Sequence, residues 1–322
     1  MKLSLFKTEF PIMLAPMAGF TDMTYRSICR EHGCDFTFTE MISAKGLKYG
    51  GKSADLMETA PNERPCGIQL FGRDPAIMAE MARRICGENK GELALIDINM
   101  GCPAPKITGN GEGSALMKEP GVAARVIEAV VKASALPVSV KFRKGWDSGH
   151  VNCVDFARMA EASGAAFVTI HGRTRDQMYS GAADWEVIAE AKAALSIPVI
   201  GNGDVTGGSS AIAMRDYTGC DGIMIARGAL GNPYVFQEVK AAFAGVPYTP
   251  PSNAERLDLA IAHVRGLVDH KGPHGVIEMR KHIAYYVRGM KGASAFRTAA
   301  TLAPTAEALI DLIEEYRNKI SE

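Results

Sequence analysis

A chain of 322 residues has room for one large domain and a smaller companion. Its hydrophobic share of 47% and charged share of 22% are those of an ordinary globular protein, and they exclude a disordered or fibrous chain. The formal net charge is zero, so any contact with nucleic acid must come from a local basic patch.

The cysteines (Cys29, Cys34, Cys66, Cys86, Cys102, Cys153 and Cys220) are odd in number, scattered, and form no Cys-x-x-Cys. They read as reduced thiols of a cytoplasmic protein. Their spacing fits neither structural zinc nor an iron–sulfur centre, so no metal is expected. The opening MKLSLFKTEF is too short and polar for a signal peptide, and no window is apolar for long enough to span a membrane.

In chain order, β-rich runs are expected at Ile12–Ala15, Phe36–Thr39, Cys66–Leu70, Leu95–Asn99, Val138–Phe142, Phe167–His171, Pro198–Gly201 and Gly222–Ala226. Helical patterns such as Pro75–Ile85, Val122–Ala133, Cys153–Ala162 and Ala183–Ala194 lie between them. About eight strand–helix units within roughly 240 residues predict an α/β fold, a (β/α)₈ TIM barrel. A doubly wound sheet would need an early Gly-x-Gly-x-x-Gly turn, and there is none. The prolines of Pro247-Tyr248-Thr249-Pro250-Pro251 then mark a linker. Beyond it Leu309, Leu312, Ile313, Tyr316 and Ile320 share one helical face. The expected organisation is a barrel over 1–245 and a small all-α helical domain over 246–322.

Chemistry on a barrel gathers at the carboxyl ends of its strands. Here those ends carry Pro16-Met17-Ala18, Glu40, Gln69, Asn99 with Cys102, Lys141, His171 with Arg173, Asn202-Gly203-Asp204 and Ala226-Arg227-Gly228. That density fits a large, polar, planar ligand. The glycine turns after strands seven and eight, with Arg227, suit a phosphate, although two ordinary turns would look the same. Gln69 can meet the edge of a heteroaromatic ring such as a flavin, and Lys141 can stabilise an anionic reduced ring. A capping amide and an exposed lysine are the plainer alternatives. His171 is either a ligand contact or a satisfied rim residue. Of the early methionines, only Met17 stands where it would press on a ring face; the others read as packing.

Cys102 comes directly after a strand in Asn99-Met100-Gly101-Cys102-Pro103, so its thiol sits in a loop of fixed shape. It is a nucleophile or a proton donor; the absence of a local protease-like signature favours the acid. The glycine-rich Lys106–Gly113 is a candidate mobile lid. Between Lys271 and Arg297 lie six cations (Lys271, Arg280, Lys281, Arg288, Lys291 and Arg297) and a single acid, Glu278. Lys281, Tyr285 and Arg288 share a helical face, a pattern that suits a phosphate backbone and a stacked base, and equally a solvated face.

Five runs together make this chain resemble the tRNA-dihydrouridine synthase family, and within it the bacterial B-type enzymes. They are Ala15–Asp22 (APMAGFTD), Gln69–Gly72 (QLFG), Asp97–Pro103 (DINMGCP), Ile170–Arg175 (IHGRTR) and Gly201–Asp204 (GNGD). The resemblance implies an FMN-binding barrel and a helical domain that grips tRNA. NADPH or NADH would be the electron donor, and the reaction reduces the C5=C6 bond of a D-loop uridine, position 17 for the B-type. It assigns the general acid to Cys102. The flavin falls to Pro16, Met17, Ala18, Gln69, Lys141, His171, Asn202, Gly203, Asp204, Ala226 and Arg227. The RNA falls to Asn99, Arg173, Lys281, Arg288 and Lys291. No protein partner is required, and a monomer is expected. The rivals are a barrel reducing a free pyrimidine, in the manner of dihydroorotate or dihydropyrimidine dehydrogenases, and a non-catalytic RNA-binding or regulatory protein.

Overall fold

The strands are short, β-branched and apolar, and helices cover their outer faces, so the strands are buried on both sides. A computed structural model describes residues 6 and 8–321; part of the amino-terminal stretch read above, residues 1–5 and 7, lies outside the described residues. The strands are β1 (Ile12–Leu14), β2 (Ile42–Ser43), β3 (Cys66–Phe71), β4 (Leu93–Met100), β5 (Val138–Gly145), β6 (Phe167–Thr174), β7 (Val199–Asn202) and β8 (Gly222–Ile225). All pair in parallel, in the order β1-β8-β7-β6-β5-β4-β3-β2.

The expected second strand, Phe36–Thr39, pairs through single bridges and not as a full ladder. It still fills the gap between β1 and β3: Leu14 N–H donates to Phe36 O at 3.0 Å, and Thr39 N–H to Gly67 O at 2.9 Å. The ring is therefore closed, and the fold is the (β/α)₈ barrel. Gly67 is required at this seam, because a Cβ there would lie 2.5 Å from the Phe38 ring. Met13, Phe36, Phe38, Leu95, Phe167 and Met224 pack together as one apolar group, and the faces between strands and helices form a second, larger one.

The helices around the barrel are α1 (Met23–Glu31), α2 (Ala44–Lys48), α3 (Pro75–Glu88), α4 (Pro105–Thr108), α5 (Pro120–Ala133), α6 (Cys153–Ala162), α7 (Glu186–Ala194), α8 (Gly208–Thr218) and α9 (Val235–Ala244). The helix expected from Ala183 begins instead at Glu186, because Ala183 and Asp184 serve the site: Ala183 N–H binds Asp204 and Asp184 accepts from Lys144. The starts of α1 and α3 obey ordinary capping chemistry. Asp22 accepts from Tyr25 N–H at the head of α1, and Asp74 from Ala76 and Ile77 N–H at the head of α3, where Pro75 needs no donor partner.

After the irregular stretch 246–252, Ser252 and Glu255 form a reciprocal cap on α10 (Asn253–Lys271), and then come α11 (His274–Tyr286), α12 (Ala293–Leu302) and α13 (Ala306–Ser321). These four bury their own apolar cluster, in which Leu309, Ile313 and Tyr316 of α13 take part while Leu312 and Ile320 lie at its margin. Thr24 Oγ1 donates to Gly266 O at 3.3 Å, tying α1 to α10. Among the described residues, no helix is long and apolar enough to cross a membrane.

Candidate active site

The mouth of the barrel opens into a cavity of about 1130 Å³, roofed on one side by α11 and its end. Pro16, Met17, Ala18, Asn99, Cys102, Lys141, His171, Asn202, Gly203, Asp204, Ala226 and Arg227 all line it, as does Arg288 from the helical side. Several separate strand ends thus deliver side chains to one space, as expected for this fold.

Beneath the cavity runs a relay whose direction is set by chemistry. Asp97 is buried in β4 and, as a carboxylate, can only accept; it takes Ser139 Oγ and Gln69 Nε2, both at 2.6 Å. Gln69 therefore turns its oxygen to Asn99, whose Nδ2 donates at 2.8 Å. Asn99 Oδ1 is then left facing the loop, where it accepts Gly101 N–H at 3.1 Å and Cys102 N–H at 2.9 Å. From the other side Ser114 donates to Cys102 O through its N–H at 3.1 Å and its hydroxyl at 2.9 Å. The cysteine is thus held at both ends, and one of those holds begins in the barrel core. Gln69 does not line the cavity: it is fully buried behind the rim, and both ends of its amide are engaged within the relay.

Cys102 is half-buried, and Cys86 is the only other cysteine not fully buried. Burial raises its pKa, against the lowering effects of the Ala104 N–H, Arg143 and Lys141, so the group stays a thiol at neutral pH. A protonated thiol suits a proton donor better than a nucleophile. The expected lid begins as α4 and closes in a hydrogen-bonded turn, with Asn110 N–H on Ile107 O at 3.1 Å and Gly111 N–H on Thr108 O at 3.0 Å.

Lys141, on β5, donates to Asn202 Oδ1 at 3.1 Å, and Asn202 Nδ2 donates to Met224 O at 2.7 Å, which locks the amide. Burial and the Arg143 charge pull Lys141 down to about 8, against support from Asp97 and Cys102. Burial pushes Asp97 up to about 6, opposed by its two hydrogen bonds and by Lys141. Above that value the carboxylate offsets the nearby ammonium. The His171 ring forms no hydrogen bond among the described residues, and burial together with Lys141, Arg143, Arg173 and Arg227 holds it well below the ordinary histidine range. It is a neutral imidazole at physiological pH.

Arg173, expected to touch the substrate, is placed elsewhere. Its side chain is 2% exposed, lies outside the cavity lining, and grips both oxygens of Asp204 at 2.8 Å. Asp204 also accepts Ala183 N–H at 2.7 Å and sits at φ 59°, a left-handed conformation that this packing maintains. Burial raises its pKa, but the Ala183 N–H, Arg173 and Arg227 outweigh it and hold the carboxyl below the usual range. Arg227 stands at the opening, 3.3 Å from Asp204.

Besides Asp97, two residues of the cavity wall escaped the sequence reading. Arg143 lines the cavity and holds three carbonyls, Gly101 O at 2.8 Å and Thr174 O and Met178 O at 2.9 Å. It stands two residues beyond Lys141, on the same face of β5, so a period-two reading of that strand would have found it. Tyr179 is exposed at the rim beneath the guanidinium of Arg227, 5.0 Å from its centroid. It lies in a turn with no periodic signal. On the helical side Arg288 lies over the Tyr285 ring at 5.0 Å and Lys281 over Phe20 at 5.6 Å, whereas Lys291 is exposed outside the cavity.

A family profile described as "Dihydrouridine synthase (Dus)" matches residues 13–321. The chain belongs to the dihydrouridine synthase family. Among its relatives, a "Probable tRNA-dihydrouridine synthase" of Rickettsia conorii is 39% identical over 97% of this chain and 94% of its own length. A "Probable tRNA-dihydrouridine synthase 1" of Synechocystis is 41% identical over 89% of this chain and 80% of its own. The "tRNA-dihydrouridine synthase B" of Xanthomonas campestris is 40% identical over 95% and 92%. Family membership thus covers both the barrel and the four terminal helices.

Proposed function

We propose that this protein reduces the C5=C6 bond of a D-loop uridine in tRNA, using FMN with NADPH or NADH as donor. The observation that carries the reading is the half-buried, protonated Cys102 held by a core relay in a donor-lined cavity. The cavity fits the flavin by chemistry: Lys141, His171 and Arg227 offer donors for an anionic, planar ligand, and Asn202, Gly203 and Ala226 bring small or amide groups to the same wall. Pro16, Met17 and Ala18 supply an apolar edge. The chemistry FMN supplies when bound is hydride delivery to C6 of uracil.

Cys102 gives its proton to C5 on the other side of the reaction. Asn99 orients that thiol through its backbone and lines the cavity that would receive the base. Lys141 offers positive charge where negative charge accumulates, and neutral His171 can donate or accept. The target nucleotide must leave its stack to reach Cys102, at a cost of a few kcal/mol. Arg288 with Tyr285, and Lys281 with Phe20, offer cation–aromatic pairs to the RNA at the entrance, with Lys291 beyond them.

Residues 1–245 then form the catalytic barrel and 246–322 the tRNA-binding domain, a division supported by their separate apolar clusters. A single chain supplies both walls, so the reading needs no second subunit, and its setting is the cytoplasm, where tRNA is found. The test is direct. A purified yellow protein should be bleached by NADPH and should form dihydrouridine in unmodified tRNA, read by mass spectrometry of nucleosides. Reduction of free uracil with tRNA untouched would replace this reading with a free-pyrimidine reductase. A colourless protein that binds tRNA without turnover would make it a binding protein.

A further inference from the structure

Where α1 meets α10 and α11, three ligand-type side chains converge behind Phe20, outside the lining of the cavity. They are Asp22, His263 and His282, at 4%, 0% and 1% exposure. One carboxylate oxygen and one nitrogen from each ring all lie within 4.8 Å of one another. Asp22 Oδ1 is used as the cap of α1, yet Oδ2 has no hydrogen bond. His263 Nδ1 meets Tyr286 Oη at 3.2 Å, while its Nε2 has no partner. Both nitrogens of His282 are without one. Buried polar atoms are rarely left unsatisfied, and here each of three neighbouring residues carries at least one such atom.

We propose that Asp22, His263 and His282 hold a divalent transition cation, of which zinc is the natural probe, pinning the helical domain to the barrel. Imidazole and carboxylate are the ligands such an ion prefers, and three protein ligands leave one position for water. The Tyr286 contact on the far nitrogen of His263 is the arrangement that orients a metal-bound imidazole. Tyr25, stacked on His263 at 5.2 Å, and Phe20, edge-on to His282 at 5.3 Å, wall the site with aromatic rings. A tetrahedral ion holds its ligands about 3.3 Å apart, so the three must close by up to about 1.5 Å, within reach of small χ rotations. Lys271 stands 3.7 Å from Asp22 Oδ2 and competes for it, but its ammonium is bound to Glu278 at 2.8 Å, and Lys281 is also drawn to Glu278 at 3.7 Å. No two ligands are close in sequence, which is why no metal motif was legible.

The test uses the untagged full chain, stripped with chelator, exposed to ZnCl₂ or CoCl₂ and desalted. One retained equivalent and a raised unfolding temperature are expected. With cobalt, visible bands should appear that are at least ten-fold weaker at equal metal in His263→Gln, His282→Gln and Asp22→Asn; the last keeps the helix cap. Should a variant fail to fold, X-ray absorption of the zinc-loaded wild type decides: a nitrogen and oxygen shell with two imidazoles is expected. No retained metal, undiminished binding in the variants, or a sulfur shell would overturn the proposal and leave buried water in this space.

Discussion

On the barrel side of the cavity, Asp97, Gln69, Asn99 and Asn202 are buried, and with Lys141 they are held in place by hydrogen bonds that cross between strands. On the helical side, Arg288 is exposed, and its guanidinium lies over the Tyr285 ring. The first wall is preorganised and costly to disturb; the second is solvated and adaptable. Such a division suits a catalyst that must fix a reacting ring while accommodating a large, charged polymer. Its corollary is that single substitutions should hurt far more on the first wall than on the second.

The largest effect is expected at Cys102. Removing a general acid costs about 10²–10⁴ in rate, so Cys102→Ala should keep its flavin and lose dihydrouridine formation to that extent. Full turnover by nucleoside mass spectrometry would remove the acid role. Asp97→Leu comes next. An apolar side chain there accepts from neither Gln69 nor Ser139, and leaving a buried partner unpaired costs about 1–3 kcal/mol. Dihydrouridine formation should fall by about ten-fold or more; unchanged turnover would show that the relay does not position the thiol.

On the adaptable wall, Arg288→Ala combined with Lys291→Ala should weaken tRNA binding severalfold and flatten its salt dependence by about one unit of slope per lost contact. An unaltered slope, measured by filter binding, would move the RNA surface elsewhere. The smallest effect concerns pH. Lys141 is lowered to about 8, so its charge is present below that pH and lost above it. Flavin affinity should hold steady up to about pH 8 and decline beyond, and Lys141→Met should abolish the dependence. A decline that persists in the variant would assign it to another group.

The same contrast explains what could be read from the sequence. Strand ends carry a positional rule, so Cys102, Lys141, His171 and the Asn202–Asp204 turn were found from the residues at or just past the end of each apolar run, and the cavity unites them. The rule says nothing about what lies behind the rim. Gln69 and Arg173 were placed near the ligand by sequence, but burial turned one into part of the Asp97 relay and the other into the clamp on Asp204. Asp97 itself reads as one more residue of an apolar strand. The strand expected at Phe36–Thr39 forms only isolated bridges, and the named strand follows at Ile42–Ser43; the seam depends on Gly67 and Phe38 meeting across a long stretch of chain, which no local pattern records. Tyr179 belongs to a turn whose shape is set by Arg143, and no periodicity could announce it.

The guanidinium of Arg143 spans from the carbonyl before Cys102 to the carbonyl before Tyr179. One side chain therefore ties the loop that carries the thiol to the turn that carries Tyr179, so a displacement of either one is felt by the other.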